Sequence, residues 1–332
     1  MAQPAILVEG LTKRFGNLVA LDGIDFSAPE RSVFGLLGPN GAGKTTAIRI
    51  LATVLEPDQG RASVLGHDVV RDPDGVRRVI GLAGQFAAVD PNLTGEENLW
   101  LIGRLTQMED GAIVPRAREL LHRFDLDEAA DRPVRTYSGG MRRRLDIAAA
   151  LVPRPPVLFL DEPTTGLDLQ SRNELWQMIR ELVGEGTTVL LTTQYLEEAD
   201  RLADRIAVID HGHVIANDTP ARLKSQLGST VAELGFEDHA HAERAAALLV
   251  RSYPDVDRSA ETIRIGTNEG ARILVDVLRI LESGGEAPAT LAVHEPSLDD
   301  VFLSLTGRPA EVEEPEPAEL AVSGRRGRRR RG

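Results

Sequence analysis

GPNGAGKTT, residues 38 to 46, is the stretch on which the fold turns. It fits G-x-x-x-x-G-K-[ST] without a gap and stands between the apolar run SVFGLLG and the helix-like KTTAIRILATVL. Glycines in that setting let successive backbone N–H groups turn toward one anion, and the following helix adds its positive N-terminal end. Gly38, Pro39, Asn40, Gly41, Ala42, Gly43, Lys44, Thr45 and Thr46 are therefore the candidate cradle for a triphosphate. Lys44 is expected at the β and γ phosphates, and the Thr45 hydroxyl on Mg²⁺. Lys44 is one of only three lysines among 38 basic residues, so the chain departs here from its habit of using arginine. A compact ammonium suits a crowded phosphate cradle better than a planar fork does.

Further along, VLFLDEPTTGLD, residues 157 to 168, supplies a second half. Four apolar residues read as a buried strand, with Asp161 at its end placed to hold Mg²⁺. Glu162 follows as the candidate general base for an attacking water. Alone, two carboxylates at a strand end would read as well as a helix cap or a solvated turn; beside a phosphate loop they read as chemistry. YSGGM, residues 137 to 141, puts a serine and two glycines before the helical MRRRLDIAAALV, a second anion-binding helix start with no lysine in it. Such starts are common, and its weight comes from position: Ser138 lies 23 residues before Asp161.

Around these motifs residues 1 to about 225 alternate strand-like and helix-like segments. AILVEGL, SVFGLLG, PVLFLDE, TTVLLTT and RIAVID read as strands, and their near-continuous apolar character predicts a parallel sheet covered on both faces. A stretch rich in helix signals, about 91 to 153, reads as an inserted helical subdomain. Beyond Leu227-Gly228 the segments TVAELGF, AHAERAAALLVRSY, PDVDR, TIRIGT, GARILVDVLRILES and ATLAVHE give the order βαββαβ, the ferredoxin-like pattern, over 229 to 307. LDDVFLSLTG adds a last short helix. From 308 to 332 an acidic and then arginine-rich segment lacks the apolar content to order.

At 332 residues the chain is long enough for two domains, and 42% apolar with 27% charged residues is ordinary for a globular protein. With no cysteine, a disulfide framework, a thiolate metal site and a cysteine nucleophile are excluded. No apolar run reaches the length of a membrane span. MAQPAILVEGLTKRF breaks its apolar stretch with Glu9, Lys13 and Arg14, so no secretory signal is expected and the chain is placed in the cytosol. Net charge is −13, and six arginines crowd the last eight residues, so everything before them carries −19. A body that acidic is a poor duplex nucleic-acid binder, because phosphate neutralisation supplies most non-specific affinity.

Over residues 5 to about 220 the sequence resembles the ATP-binding cassette (ABC) family of P-loop NTPases, whose motifs appear here in the family's order. TTQYLEEADRLADRI and PSLDDVFLSLTG narrow the likeness to ATP-binding subunits of the daunorubicin/doxorubicin-resistance type. The resemblance implies an ATPase with ATP and Mg²⁺, working as a homodimer of cassettes on a separately encoded permease at the cytoplasmic side of the membrane. Under it Phe15 stacks on adenine, where a tyrosine is usual. Gln85 is the Q-loop glutamine on Mg²⁺ and water, and the segment around Phe86 to Glu97 relays motion to the permease. Ser138, Gly139 and Gly140 bind the γ phosphate of the other protomer, and Asp168 lies at the dimer junction. The switch histidine expected after TTVLLTT is Gln194 here, which can donate and hold a water but cannot titrate.

The implied cargo is a hydrophobic drug or antibiotic, with lipid or polysaccharide as the alternative. The C-terminal segment is implied in assembly and regulation, and Arg325 to Arg331 is a candidate for anionic lipid contact. A soluble ABC ATPase acting on DNA or ribosomes is the rival reading. Against it, no heptad run separates Gln85 from Ser138, and the chain carries one phosphate loop rather than two.

Overall fold

The computed structural model describes residues 4–84, 89–228, 230–253, 256–268, 270 and 272–307. Gln85, Phe86 and the tail from 308 to 332, with its expected disorder and its arginine run, lie outside them. The chain opens with β1 (Ile6–Phe15), β2 (Leu18–Ala28), β3 (Val33–Leu37), α1 (Lys44–Leu51), β4 (Gln59–Val64), β5 (His67–Asp68), α2 (Pro73–Val79) and β6 (Ile80–Ala83). One expectation fails at once. AILVEGL, in β1, does not join the parallel sheet; it pairs antiparallel with β2 and β4 in a separate sheet of order β2-β1-β4-β5. The cause is its half-buried character: Glu9 and Gly10 are exposed between buried Val8 and Leu11, where the register also shifts. A strand with one wet face belongs in an antiparallel sheet, whereas a central parallel strand must be dry on both sides.

Next come α3 (Gly95–Leu105), α4 (Asp110–Arg123) and α5 (Gly139–Ala150), the helix-rich stretch expected from the sequence. Thr94 and Glu97 close a capping box at the start of α3, and Ser138 caps α5 by accepting from the Met141 N–H. Then β7 (Val157–Asp161), α6 (Leu169–Gly184), β8 (Thr188–Thr193), α7 (Leu196–Leu202), β9 (Arg205–Asp210) and β10 (His213–Asp218) complete a six-stranded sheet of order β10-β9-β3-β8-β7-β6. It is parallel apart from β10, which folds back on β9. Strand alternation splits its side chains between two cores. Val157 and Phe159 pack with α1 and the antiparallel sheet, while Leu158 and Leu160 pack with α5 and α6.

After α8 (Pro220–Ser225) the chain builds β11 (Thr230–Gly235), α9 (His239–Leu249), β12 (Val256–Ser259), β13 (Thr262–Thr267), α10 (Arg272–Ser283) and β14 (Thr290–His294). Their antiparallel order, β12-β13-β11-β14, is that of the ferredoxin-like pattern, and α9 and α10 meet Leu234, Ile263 and Ile265 in a third core. The last helix, α11 (Leu298–Thr306), returns to the first body. Leu298, Val301 and Phe302 are buried in the core that holds α5 to α7, beside α7 and α8. Behind it, Arg264 of β13 donates to Glu233 Oε2 at 2.6 Å and lies 3.6 Å from Asp300 of α11.

Candidate active site

The carboxyl ends of β3, β7 and β8 emerge at one edge of the parallel sheet, with Leu37 paired to Thr193 and Asp161 to Thr192. In open α/β sheets that edge is where ligands bind. Asp161 shares its parity with Phe159 and so faces α1. Its Oδ1 accepts from the Thr45 hydroxyl at 3.1 Å and from the Thr192 hydroxyl at 2.6 Å. Carboxylate and hydroxyl oxygens this close form a donor set suited to a hard cation such as Mg²⁺.

Between β3 and α1 the loop from Gly38 to Gly43 leaves no room for side chains at two positions. A Cβ on Gly38 would run into the Ile209 carbonyl, and one on Gly43, whose φ is 110°, into Ala20 and Leu21. Lys44 is 3% exposed and folds over the loop, its Nζ donating to the carbonyls of Gly38 at 2.7 Å and Pro39 at 3.1 Å. It also lies 3.5 Å from Glu162 Oε1.

Glu162 reaches that position through an unusual backbone, with φ at 50°. A non-glycine residue there costs about 1 kcal/mol or more and persists only where its surroundings impose it. On one side the Glu162 N–H donates to Thr192, at 2.9 Å to the hydroxyl and 3.2 Å to the carbonyl. Phe15, Leu18, Val19, Ala20, the loop from Asn40 to Thr46 and Glu162 then line one groove of about 280 Å³. The Phe15 ring is half exposed at its mouth, with the Lys13 ammonium 5.7 Å from the ring centre.

The remaining candidate residues sit elsewhere. Ser138 and Gly139 are exposed at the start of α5 and do not line that groove; Gly139 borders a second cavity with Arg142, Arg143, Thr165 and Gly166, which Glu162 also lines. Gly140 is half-buried beside Ser171. Asp168 caps α6 by accepting from the Ser171 N–H at 2.8 Å, and that bond holds its carboxyl below the usual range.

The sequence profile of ABC transporters matches residues 21–165. The daunorubicin/doxorubicin resistance ATP-binding protein DrrA of Streptomyces peucetius is 52% identical over 95% of this chain and 96% of its own length. The chain belongs to the ABC transporter family. At 41% identity it also matches the Nod factor export ATP-binding protein I of Ralstonia nicotianae, over 92% of this chain and 94% of that one. Among solved structures, the ATP binding subunit of an ABC transporter superposes with a TM-score of 0.62 at 27% identity, over 68% of this chain and 93% of the other. A second ATP-binding cassette, solved as a dimer in a post-hydrolysis state with ADP and Pi, gives 0.59 at 27% identity, over 64% and 98%.

Within this ABC cassette Gln194 follows β8 and is 6% exposed, and its Oε1 has no hydrogen-bond partner among the described residues. Three neighbours carry interactions that motif spacing did not reveal. Thr192 holds both Asp161 and the Glu162 N–H. Glu198, wholly buried on α7, accepts from the Trp176 indole at 3.1 Å, and burial pushes its carboxyl up. Arg143 extends from α5 to three main-chain carbonyls, those of Gly84, Asp161 and Pro163. Burial lowers its pKa, against the pull of Asp146, Asp161, Glu198 and Glu162. The available signal was Asp146, an acid inside the apolar run LDIAAALV, three residues on and hence on the same helix face.

Proposed function

We propose that two copies of the chain close around two MgATP, and that hydrolysis drives a separate membrane permease. One observation carries this reading. The phosphate loop, Asp161 and Glu162 converge at one sheet edge, whereas the Ser138-Gly139 turn is exposed and absent from their groove. An exposed helix start of this kind suits a phosphate held by another protomer.

In the closed state Lys44 exchanges the Gly38 and Pro39 carbonyls for the β and γ phosphates, and Phe15 stacks on adenine. Thr45 and Asp161 would hold Mg²⁺, with Gln85 as the third residue that the family pattern assigns; the ion supplies neutralising charge at the γ phosphate. Glu162, released from Lys44, takes the proton of the attacking water. Gln194 donates its amide to the γ phosphate and accepts from that water through the buried Oε1. The partner's Ser138-Gly139-Gly140 turn neutralises the departing phosphate, and Asp168 sits at the junction.

No helix among the described residues is long and apolar enough to cross a membrane. We place the chain on the cytoplasmic face of the cell membrane, bound to its permease around Phe86 to Glu97. The cargo is read as a hydrophobic drug or antibiotic, following the name of the Streptomyces relative. Lipid or polysaccharide is the alternative cargo, and another relative is named for export of a different cargo, Nod factor. We assign residues 1–225 to the cassette and 229–307 to assembly and regulation, and Arg325 to Arg331 to anionic lipid, where each basic residue contributes about 1 kcal/mol. The test is hydrolysis by the purified chain across a wide dilution series. Specific activity should fall on dilution; a rate per molecule independent of concentration overturns the dimer.

A further inference from the structure

We propose that Arg143 is a positioning residue for hydrolysis: its guanidinium fixes the main chain on both sides of Glu162 and ties it to the start of α5. The geometry is a single fork with four acceptors. Arg143 Nε donates to the Pro163 carbonyl at 2.9 Å and Nη2 to the Asp161 carbonyl at 2.9 Å. Nη1 donates to the Gly84 carbonyl at 2.8 Å and lies 3.5 Å from Asp146 Oδ2.

The residue between two of these acceptors is Glu162, held at positive φ. Thr192 grips its N–H from the β8 side, and Arg143 grips the flanking carbonyls from the α5 side. The third acceptor, Gly84, immediately precedes Gln85 in sequence. A planar group with five N–H donors spans such a set, and an ammonium on a flexible stem does not. Arg143 is also four residues past Gly139 on α5, one turn below the turn assigned to the partner's phosphate. A displacement of that turn is thereby felt at the carboxylate that activates water. Arg143 lines the second cavity with Glu162 and Gly139 and not the phosphate-loop groove, so its loss should act on turnover through Glu162 rather than on the chain's own phosphate loop.

The inference rests on the assignment of Glu162 as base, and the test separates the two. Full-length Arg143→Lys is compared with wild type for kcat and KM with MgATP and for binding of a non-hydrolysable ATP analogue. We expect kcat to fall at least about tenfold, since displacements near 1 Å cost up to about 10²-fold, with KM and analogue affinity within about twofold. The double variant Arg143→Met/Asp146→Leu removes both charges of the pair, so no unpaired carboxylate is left buried, and in protein that still unfolds cooperatively kcat should stay low. Arg143→Lys with wild-type kcat, a parallel loss of analogue binding, or recovery of turnover in the double variant would each overturn the proposal. Glu162→Gln identifies the other failure: if it hydrolyses ATP at the wild-type rate, the base is wrong whatever Arg143 does.

Discussion

At the scale of single residues the site is a set of side chains borrowed from neighbouring strand ends. Asp161 is oriented by two hydroxyls, one from the phosphate loop and one from β8, and Glu162 is turned by its backbone toward Lys44. Replacing Glu162 by glutamine keeps the shape and removes the proposed base. Steady-state hydrolysis should fall at least about 10²-fold, about 3 kcal/mol of barrier, while ATP binding persists. Glu198 makes a different prediction. Its carboxyl is raised above the ordinary 4.5 by burial, so its contribution to folding is complete below that value and is lost as pH rises toward the folded value. Denaturant unfolding of Glu198→Gln should therefore depend less on pH above 4.5 than wild type, the difference growing in the variant's favour.

Among the elements, legibility followed burial. β3, β7, β8 and β9 could be read from the sequence because strands dry on both faces carry consecutive apolar residues. β2 and β4 escaped for the opposite reason. LVALDGIDFSA mixes Asp22, Gly23 and Asp25 into its alternation, and QGRASV holds only two fully buried residues. The phosphate loop and the Asp161-Glu162 pair stood out because their spacing is dictated by one anion. Arg143 did not, since MRRRL reads as a solvated helix face and only the folded helix shows which arginine turns inward. For α5 itself, Ser138→Asp isolates the phosphate role from the cap. Aspartate caps as well as serine, so stability should hold within about 0.5 kcal/mol. A carboxylate facing the partner's γ phosphate should cost several kcal/mol, or about 10²-fold or more in turnover. Wild-type hydrolysis by that variant would argue against a trans-acting turn.

Over the whole molecule the last helix matters most. α11 lies more than a hundred residues beyond β8 in sequence, yet Phe302 is 3% exposed in the core that contains Leu191. Phe302→Ala should therefore destabilise the cassette by about 3 kcal/mol in denaturant unfolding, as a large aromatic truncation in a core does. Truncating a free-standing appendage would leave cassette unfolding unchanged. The α11 helix has its apolar face already committed to its own chain.

That return has a mechanical consequence. The four-stranded C-terminal sheet is fastened to the cassette at both of its ends, through α8 on entry and α11 on exit. A body held at two points cannot wag like a pendant; its easiest rigid movement is a swivel about the line joining the anchors. Any rocking of α7 and α8 during the nucleotide cycle then reaches that sheet as torque about one axis.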